Sequence, residues 1–257
     1  MSPDARQHRG AHPADLELFN SDQLPKLQRA VTELSWLLSR SYKMTSSLKL
    51  VGDRYGLRER QRQAVCRSSC ADYNRQRRKQ HCVSVEQLRN EAVIIDGFNL
   101  LITVEAALSR GPLLIGIDDC IRDLSSVHGS YRSVQETEHA LSLIGEALQE
   151  LGAALVLWLL DRPVSNSGRL AEKIIDLAVK RNWPWQVEVV LNPDSMIKSS
   201  PAIAITSDSS ILDYVERWAD LKAYLLAKKI PEAWLINLSD SQLGLPGEAQ
   251  KCRNEVN

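Results

Sequence analysis

Three apolar, largely β-branched segments of this chain each end in an aspartate. They run from Val93 to Asp96, from Leu155 to Asp161, and from Ala202 to Thr206-Ser207-Asp208. Such segments predict strands that are buried on both faces, as in a parallel sheet. Ligands bind at the carboxyl ends of the strands in an open α/β sheet, so we expect the three acids to share that edge.

A cluster of carboxylates is costly unless cations neutralise it, and hard divalent metals with oxygen ligands are the usual solution. The sequence therefore predicts a metal-dependent active site in which Asp96, Asp161 and Asp208 bind Mg²⁺ or Mn²⁺. Asn99 follows Asp96 within Asp-Gly-Phe-Asn and would orient a ligand or a water. The alternative is that Asp96 or Asn99 caps the next helix, since both residue types are favoured N-caps.

Charge is divided unequally along the chain, although the formal net charge is zero. Residues 1–90 hold 17 Lys and Arg against 9 Asp and Glu, whereas residues 91–257 hold 15 against 23. A basic part joined to an acidic part indicates a nucleic-acid partner. Because no stretch approaches ~20 apolar residues and the polar start lacks a signal-peptide core, we expect no membrane association. The five scattered cysteines predict a reduced, cytoplasmic protein.

The patterns divide the chain into four regions. A disordered leader is predicted over residues 1–20, a basic helical domain over 21–91, an α/β domain over 92–239 and a disordered tail over 240–257. In the helical domain, Pro25 opens a helix over about 23–43, and two short helices, 48–55 and 57–67, flank a turn at Gly56.

The α/β domain is predicted to hold five mostly parallel strands flanked by helices. The strands are placed at 93–96, 155–161, 185–191, 202–206 and, as an edge strand, 233–238. Helices are placed at 100–108, 117–125, 134–151, 168–181 and 211–229. The alternation of strand and helix from residue 93 onward is typical of a three-layer α/β fold.

Residues from about 93 to 238 resemble a PIN-like domain, especially its NYN branch. Three short motifs carry the resemblance: Asp96-Gly97-x-Asn99, Asp161 and Thr206-x-Asp208. They match the family's signatures on the first strand, the second strand and a late strand. The resemblance implies a PIN-like fold and a metal-dependent nuclease. The whole chain also resembles an uncharacterised bacterial family in which a small basic N-terminal domain precedes such a domain.

Further acids are candidates for the same site. The family usually has an Ala-Asp pair before the late strand, where this chain has an Asn-Pro-Asp turn; Asp194 could replace that acid, although a turn acid is more often solvated. Glu136 and Glu138 lie where PIN relatives carry an acid, but the helix dipole alone favours acids there. Of Asp118 and Asp119, one could cap a helix and one could face the site. We rank Asp118 and Glu138 as further catalytic candidates, followed by Asp194.

Ser165, Asn166 and Ser167 precede a predicted helix just beyond the second strand. The free N–H groups of a helix N-terminus form a natural phosphate site, although capping explains these residue types equally well. Their position close to a candidate metal ligand favours substrate binding. Thr206 and Ser207 would add contacts to a substrate phosphate.

The basic domain has the sequence rhythm of a helix-turn-helix, with a short helix, a glycine turn and a charged second helix. Residues 40–90 hold 13 basic and 4 acidic residues, which is too unequal for simple pairing along the helices. We therefore predict nucleic-acid binding, mainly through phosphates; a solvated helical face is the alternative. The candidate residues are Arg54, Arg58, Arg60, Arg62, Arg67, Arg75, Arg77, Arg78 and Lys79.

Cysteine and histidine residues in the basic domain raise the question of a zinc site. Cys66, Cys70, His81 and Cys82 match none of the usual zinc spacings, and buried free thiols are the commoner outcome. The sequence leaves metal binding by these four residues open.

The leading hypothesis is a nuclease that acts on RNA rather than DNA, in which metal ions generate a hydroxide for in-line attack on phosphate. The rival is a nucleic-acid-binding regulator with an inactive PIN-like domain. A phosphatase of the haloacid dehalogenase type would need an acid where Phe98 stands, and a P-loop kinase would need a Gly-Lys-Ser/Thr loop that is absent. Whether the chain forms a homodimer is left open.

Overall fold

Residues 9–81 fold into five helices around an apolar core, and we call this part the helical module. The structure, a computed structural model, describes residues 9–125, 129 and 131–239. The helices are α1 (Asp15–Leu18), α2 (Leu24–Ser39), α3 (Met44–Arg54), α4 (Glu59–Ser68) and α5 (Asp72–His81). Leu27, Leu34 and Val65 are fully buried in this core. Gly56 adopts a positive φ of 56° between α3 and α4, so the predicted glycine turn joins two helices.

The prediction that residues 1–20 form a disordered leader is wrong for α1, which is an ordered helix. Leu18 and Phe19 are buried in the core of the helical module, and the Asp15 side chain is fully buried. The guanidinium of Arg60 donates to this carboxylate through Nε and, at 2.8 Å, through Nη2. A buried carboxylate is stable only with such a partner, which fixes α1 against α4. Residues 1–8 and the tail predicted over 240–257 lie outside the described residues.

The main sheet of the described residues has six parallel strands. They are β1 (Cys82–Val83), β2 (Ala92–Asp96), β5 (Leu155–Asp161), β6 (Trp185–Val190), β7 (Ile203–Ile205) and β8 (Trp218–Ala219). Their order is β1-β8-β7-β2-β5-β6, which places β2 at the centre between β7 and β5. The predicted α/β class, with a parallel sheet and an N-terminal helical region, is confirmed, with six strands in place of five.

Helices cover both faces of this sheet, as the alternation of side chains along β2 shows. Val93 and Ile95 belong to a core shared with α6 (Gly97–Leu108), α7 (Thr137–Leu151), α8 (Ser167–Arg181) and α11 (Leu221–Lys229). Ile94 points to the other face, into a core shared with α9 (Pro193–Ser199) and α10 (Ser209–Leu212). Burial on both faces explains why the strand sequences are continuously apolar.

A second sheet has the order β4-β3-β9 and consists of β3 (Leu113–Ile115), β4 (Ile121–Asp123) and β9 (Leu235–Asn237). The helix predicted over 117–125 is wrong, because the chain turns back after β3 and pairs β4 antiparallel with it. The last apolar run is an edge strand as predicted, but it belongs to this small sheet. Leu114, Leu124, Ile236 and Leu238 pack in the core of the helical module, so the small sheet joins the module to the α/β part.

The prediction of one continuous helix over 211–229 is also wrong. It is divided into α10, β8 and α11. Trp218 of β8 pairs with Ala204 of β7, and its indole N–H donates to the carbonyl of Arg78 at 2.8 Å. The tryptophan thus extends the sheet and contacts the helical module, which helical periodicity alone could not indicate. Among the described residues, no helix combines the length and the apolar character needed to cross a membrane.

Candidate functional site

Two of the predicted acids, Asp96 and Asp208, come together at the carboxyl edge of the main sheet. β2 and β7 are neighbours with Ile95 opposite Ile205, so the residues that follow reach the same level. The hydroxyl of Thr206 donates to Asp96 Oδ2 at 2.9 Å and accepts from the backbone N–H of Asp208 at 3.0 Å. Thr206 therefore holds the two acids in a fixed relation.

Gly97 lets this edge form. A Cβ added at Gly97 would lie 2.5 Å from Leu160 Cδ2 and 2.8 Å from the carbonyl oxygen of Leu159. Only a glycine allows the start of α6 to approach β5 this closely. The Asp-Gly-Phe-Asn motif thus combines an acid at the strand end with the close contact that directs α6 across the sheet.

Asp194 and Asp161 lie near this pair, and we call the four acids Asp96, Asp161, Asp194 and Asp208 the acidic edge. Asp208 caps α10 by accepting from the Ser210 N–H at 2.7 Å, and the Ser210 hydroxyl donates to Asp194 Oδ2 at 3.1 Å. Burial and the nearby Asp194 raise the pKa of Asp161 at the end of β5. Among the described residues, however, no three Asp, Glu, His or Cys side chains are grouped closely enough to hold one metal ion. The structure therefore offers the pair Asp96 and Asp208, with Asp194 and Asp161 nearby.

Asp96 is in a strongly perturbed environment. Burial raises its pKa from the ordinary 3.8 to about 6, and the negative charges of Asp208 and Asp194 act in the same direction. The Thr206 hydroxyl and the ammonium of Lys222 oppose the rise. A carboxylate that is desolvated next to other carboxylates lowers the stability of the fold. Such groups are frequent at functional sites, where the cost in stability is tolerated.

We expect Asp96→Asn to stabilise the metal-free protein at pH 7 by about 1–3 kcal/mol. The folded state binds more protons than the unfolded state between about pH 4 and 6, so the stability contributed by this carboxyl falls as pH rises through that window. Asparagine keeps the acceptor for Thr206 and removes the charge, so its advantage should disappear near pH 4. Denaturant unfolding at both pH values with EDTA measures this, with Asp176→Asn on the exposed side of α8 as control. An equal gain at both pH values would contradict the expectation.

A buried lysine organises the floor of the site. Lys222 of α11 is only 3% exposed, and its Nζ donates to Asn99 Oδ1 at 2.7 Å, Ser207 Oγ at 2.7 Å and Thr103 Oγ1 at 3.0 Å. The pKa of Lys222 is lowered overall, because burial outweighs the opposing effect of the negative charges of Asp123 and Asp96. Sequence reasoning missed this residue. Its signal is that Lys222 shares a helix face with Leu225 and Leu226, which are both buried.

Asn99 and Ser207 belong to this network. Asn99 Oδ1 accepts from Lys222 and from the N–H of Ser207 at 2.9 Å. The amide oxygen is therefore occupied within the protein, and through it Asn99 positions the loop after β7. Ser207 is buried, and its hydroxyl lies between Lys222 and Asn99.

Asp118, predicted as a catalytic acid, is a structural residue instead. It is buried between two guanidinium groups, accepting from Arg78 and, at 2.7 and 2.9 Å, from Arg122. The charges of Arg122 and Arg78 outweigh burial and lower the pKa of Asp118 well below its usual range. Arg122 Nε also donates to the carbonyl of Ser207 at 2.8 Å, so this ion triad connects α5, β4 and the acidic edge.

The remaining catalytic candidate, Glu138, and the substrate-binding candidates before α8 lie in different surroundings. Glu138 is exposed in the first turn of α7, and none of the contacts described for the acidic edge involves it. Asn166, with a positive φ of 69°, precedes α8 and donates to the carbonyl of Tyr131 at 2.8 Å. Ser165 accepts from the N–H of Tyr131, and Ser167 is buried. This loop is thus held against the segment near residue 131.

Three of the arginines predicted to bind nucleic acid are engaged inside the protein. Arg60 holds the buried Asp15, and Arg62 pairs with Asp53 at 2.7 Å while donating to a backbone carbonyl of the same turn. Arg78, 2% exposed, belongs to the ion triad. The assignment of Arg78 to nucleic-acid contact is therefore wrong, because its side chain is buried, whereas Arg60 and Arg62 are partly exposed and their assignment stays a prediction.

The remaining basic residues are more accessible. Arg54 and Arg58 form exposed ion pairs with Glu33 and Glu17, and Arg77 donates to backbone carbonyls after α10. Arg75 and Lys79 are exposed on α5. Arg67 donates to the backbone carbonyl of Asp123, and its side chain is 44% exposed.

A cleft of about 620 Å³ separates the helical module from the acidic edge. Asn99, Ser207 and Asp208 line it from the sheet, together with Arg67 and Arg122, whereas Asp96, Asp161 and Asp194 do not line it. Cys66 and Cys70 line the opposite wall, and burial raises the pKa of Cys70 to about 12, so this thiol is unreactive at neutral pH. The cleft is where the two oppositely charged parts of the chain meet.

Two family models match the chain on either side of the end of the helical module at residue 81. Residues 85–224 match a family model described as "Domain of unknown function (DUF5616)", and residues 26–81 match one described as "Protein of unknown function (DUF434)". An uncharacterised protein of Methanocaldococcus jannaschii is 30% identical over 186 residues, which cover 72% of this chain and 88% of the relative. No solved structure shows a significant match.

Proposed function

Because the chain belongs to the family described as Domain of unknown function (DUF5616), whose description specifies no reaction, we propose a function from the site itself. The protein is a nuclease with a PIN-like, NYN-type α/β domain that hydrolyses phosphodiester bonds in RNA with Mg²⁺ or Mn²⁺, acting in the cytoplasm. The observation that carries this proposal is the pair Asp96 and Asp208, held together through Thr206 beside the cleft that Asp208 lines.

The donor set fits a magnesium-type ion. Mg²⁺ is usually bound by one or two carboxylates, several waters and the substrate phosphate, so a pair of acids is enough and a dedicated protein cage is unnecessary. Asp96 and Asp208 would hold the ion, and Asp194 and Asp161 would add negative charge beside it. When bound, such an ion lowers the pKa of a coordinated water and neutralises charge on the phosphate.

Residues of the chain itself supply the positioning. Thr206 orients the Asp96 carboxylate, and Lys222 fixes Asn99 and Ser207 beneath the cleft. Arg122 holds the Ser207 carbonyl from the other side. Because these contacts are made within the protein itself, the loop that carries Asp208 is held in position before any substrate binds. Such preorganisation is the condition for efficient electrostatic catalysis.

The second candidate function is a nucleic-acid-binding regulator with an inactive PIN-like domain. The lack of any group of three acids able to hold one ion among the described residues favours it. The helix-turn-helix-like arrangement of α3 and α4 suits either function.

A cleavage assay decides between the two. We expect labelled RNA to be cut when Mg²⁺ or Mn²⁺ is present and to remain intact with EDTA. DNA of the same sequence tests the preference for RNA. If RNA is bound but neither nucleic acid is cut with either metal, the nuclease proposal fails and the regulator is favoured.

A further inference from the structure

The wall of the cleft opposite the acidic edge is built by the helical module and carries two exposed tyrosines. Tyr42 lies between α2 and α3, and Tyr73 is in the first turn of α5; both line the cleft. Their exposed fractions are 59% and 63%, unusually high for large aromatic side chains next to a cavity. Ser41, with a positive φ of 63°, makes the turn that presents Tyr42.

Within the described part of the chain, the rings of Tyr42 and Tyr73 make no ring–ring or cation–π contact. The aromatic contacts there involve other rings, such as Phe98 with Tyr131 and Arg40 over Trp36. Tyr55, by contrast, donates its hydroxyl to Glu33 at 2.7 Å. The faces of Tyr42 and Tyr73 are thus available to a ligand in the cleft.

Positive charge lies close to these rings. Arg67, which lines the cleft, donates one N–H to the Asp123 carbonyl and lies 3.6 Å from Asp123 Oδ1, but its side chain is 44% exposed and a guanidinium offers five N–H donors, so donors remain for an anion. Lys43 follows Tyr42 and is exposed. Across the cleft lie Asn99 and Asp208, on the side where the proposed reaction takes place.

We propose that Tyr42, Tyr73 and Arg67 form a subsite for unpaired nucleotides of single-stranded nucleic acid, with one base on each tyrosine ring and a phosphate on the arginine. This inference rests on the proposed function and names its substrate class. The cleft volume of about 620 Å³ lies within the ~300–1,000 Å³ of typical ligand pockets.

The preference for single-stranded over double-stranded nucleic acid follows from stacking on the tyrosine rings. A base can lie on a tyrosine ring only when its own face is free, and that condition is met in single strands, loops and ends. In a continuous duplex each base is already stacked and paired. The subsite therefore selects single-stranded segments and would place the adjacent phosphate on the Asp208 side of the cleft.

The experiment measures binding separately from cleavage. A fluorescein-labelled single-stranded RNA of roughly 12 nucleotides is titrated by anisotropy in EDTA, beside the same sequence as DNA and as a duplex. We expect Tyr42→Ala and Tyr73→Ala each to weaken single-strand binding by roughly 5- to 150-fold, the range for loss of one stacked base. Tyr42→Phe and Tyr73→Phe should bind as the wild type does, because the ring faces are retained.

Tyr214→Ala is the matched control, since Tyr214 is 64% exposed but does not line the cleft. Thermal melting checks that each variant folds, as expected for exposed side chains. The subsite is overturned if both alanine variants bind within twofold of wild type, or if the duplex binds as tightly as the single strand. Tyrosine-dependent binding without metal-dependent cleavage would sustain the subsite and refute the nuclease, and cleavage insensitive to both tyrosines would do the reverse.

Discussion

Replacing Asp118 by asparagine is expected to destabilise the protein by about 3–5 kcal/mol. The substitution leaves the guanidinium groups of Arg78 and Arg122 buried without their shared counter-charge. Breaking a buried ion pair from one side costs far more than the pair itself contributes, because the remaining charge stays desolvated. Denaturant unfolding at pH 7, followed by circular dichroism, measures the loss.

Asp213→Asn is the control for this prediction. Asp213 pairs with the same Arg78 at 2.7 Å, but its side chain is 21% exposed, so water screens the change and a loss of about 1 kcal/mol is expected. The pKa of Asp118 is lowered in the fold, so its contribution is complete above the unfolded pKa near 4 and declines as the pH falls below it. The difference between wild type and Asp118→Asn should therefore shrink in strong acid. Equal losses for the two variants would contradict the structural role of Asp118.

Asp118 also shows where inference from the sequence ends. Its partners Arg78 and Arg122 come from a helix of the module and from a strand that was predicted to be a helix. The sequence alone shows only an acid near other polar residues, and a catalytic acid and a charge-neutralising acid then look alike. The same holds for Arg60, whose partner Asp15 lies 45 residues away in a region predicted to be disordered.

The acidic pair was predictable because its signal is local. Strands buried on both faces are written as continuous apolar runs, and parallel strands bring their carboxyl ends to one edge. Asp96 and Asp208 follow from that rule. β1 and β8, with two residues each, are too short to show a period, and Lys222 was hidden in a segment read as one long helix. The tyrosines of the cleft depend on how the module packs, which no local pattern encodes.

Asp208→Asn is expected to lower metal-dependent RNA cleavage by at least ~100-fold while the fold persists. Loss of an outer contact to a metal site commonly costs ~10–100-fold, so loss of a proposed ligand should cost at least as much. Asparagine can still cap α10 by accepting from the Ser210 N–H, as Asp208 does at 2.7 Å. Relief of repulsion with Asp96 should raise the melting temperature of the metal-free protein.

The measurement pairs two readouts on the same preparations: cleavage with Mg²⁺ or Mn²⁺, and thermal melting with and without metal. Wild type should melt at a higher temperature when the ion is added, and Asp208→Asn should lose most of that increase, since only a bound ion stabilises the folded state. Asp176→Asn removes one charge from an exposed position of α8 and should keep both properties. Full activity in Asp208→Asn would remove this residue from the site. A wild type that cuts nothing and melts identically with and without metal would favour the regulator, because an ion that does not bind can neither support cleavage nor stabilise the folded state.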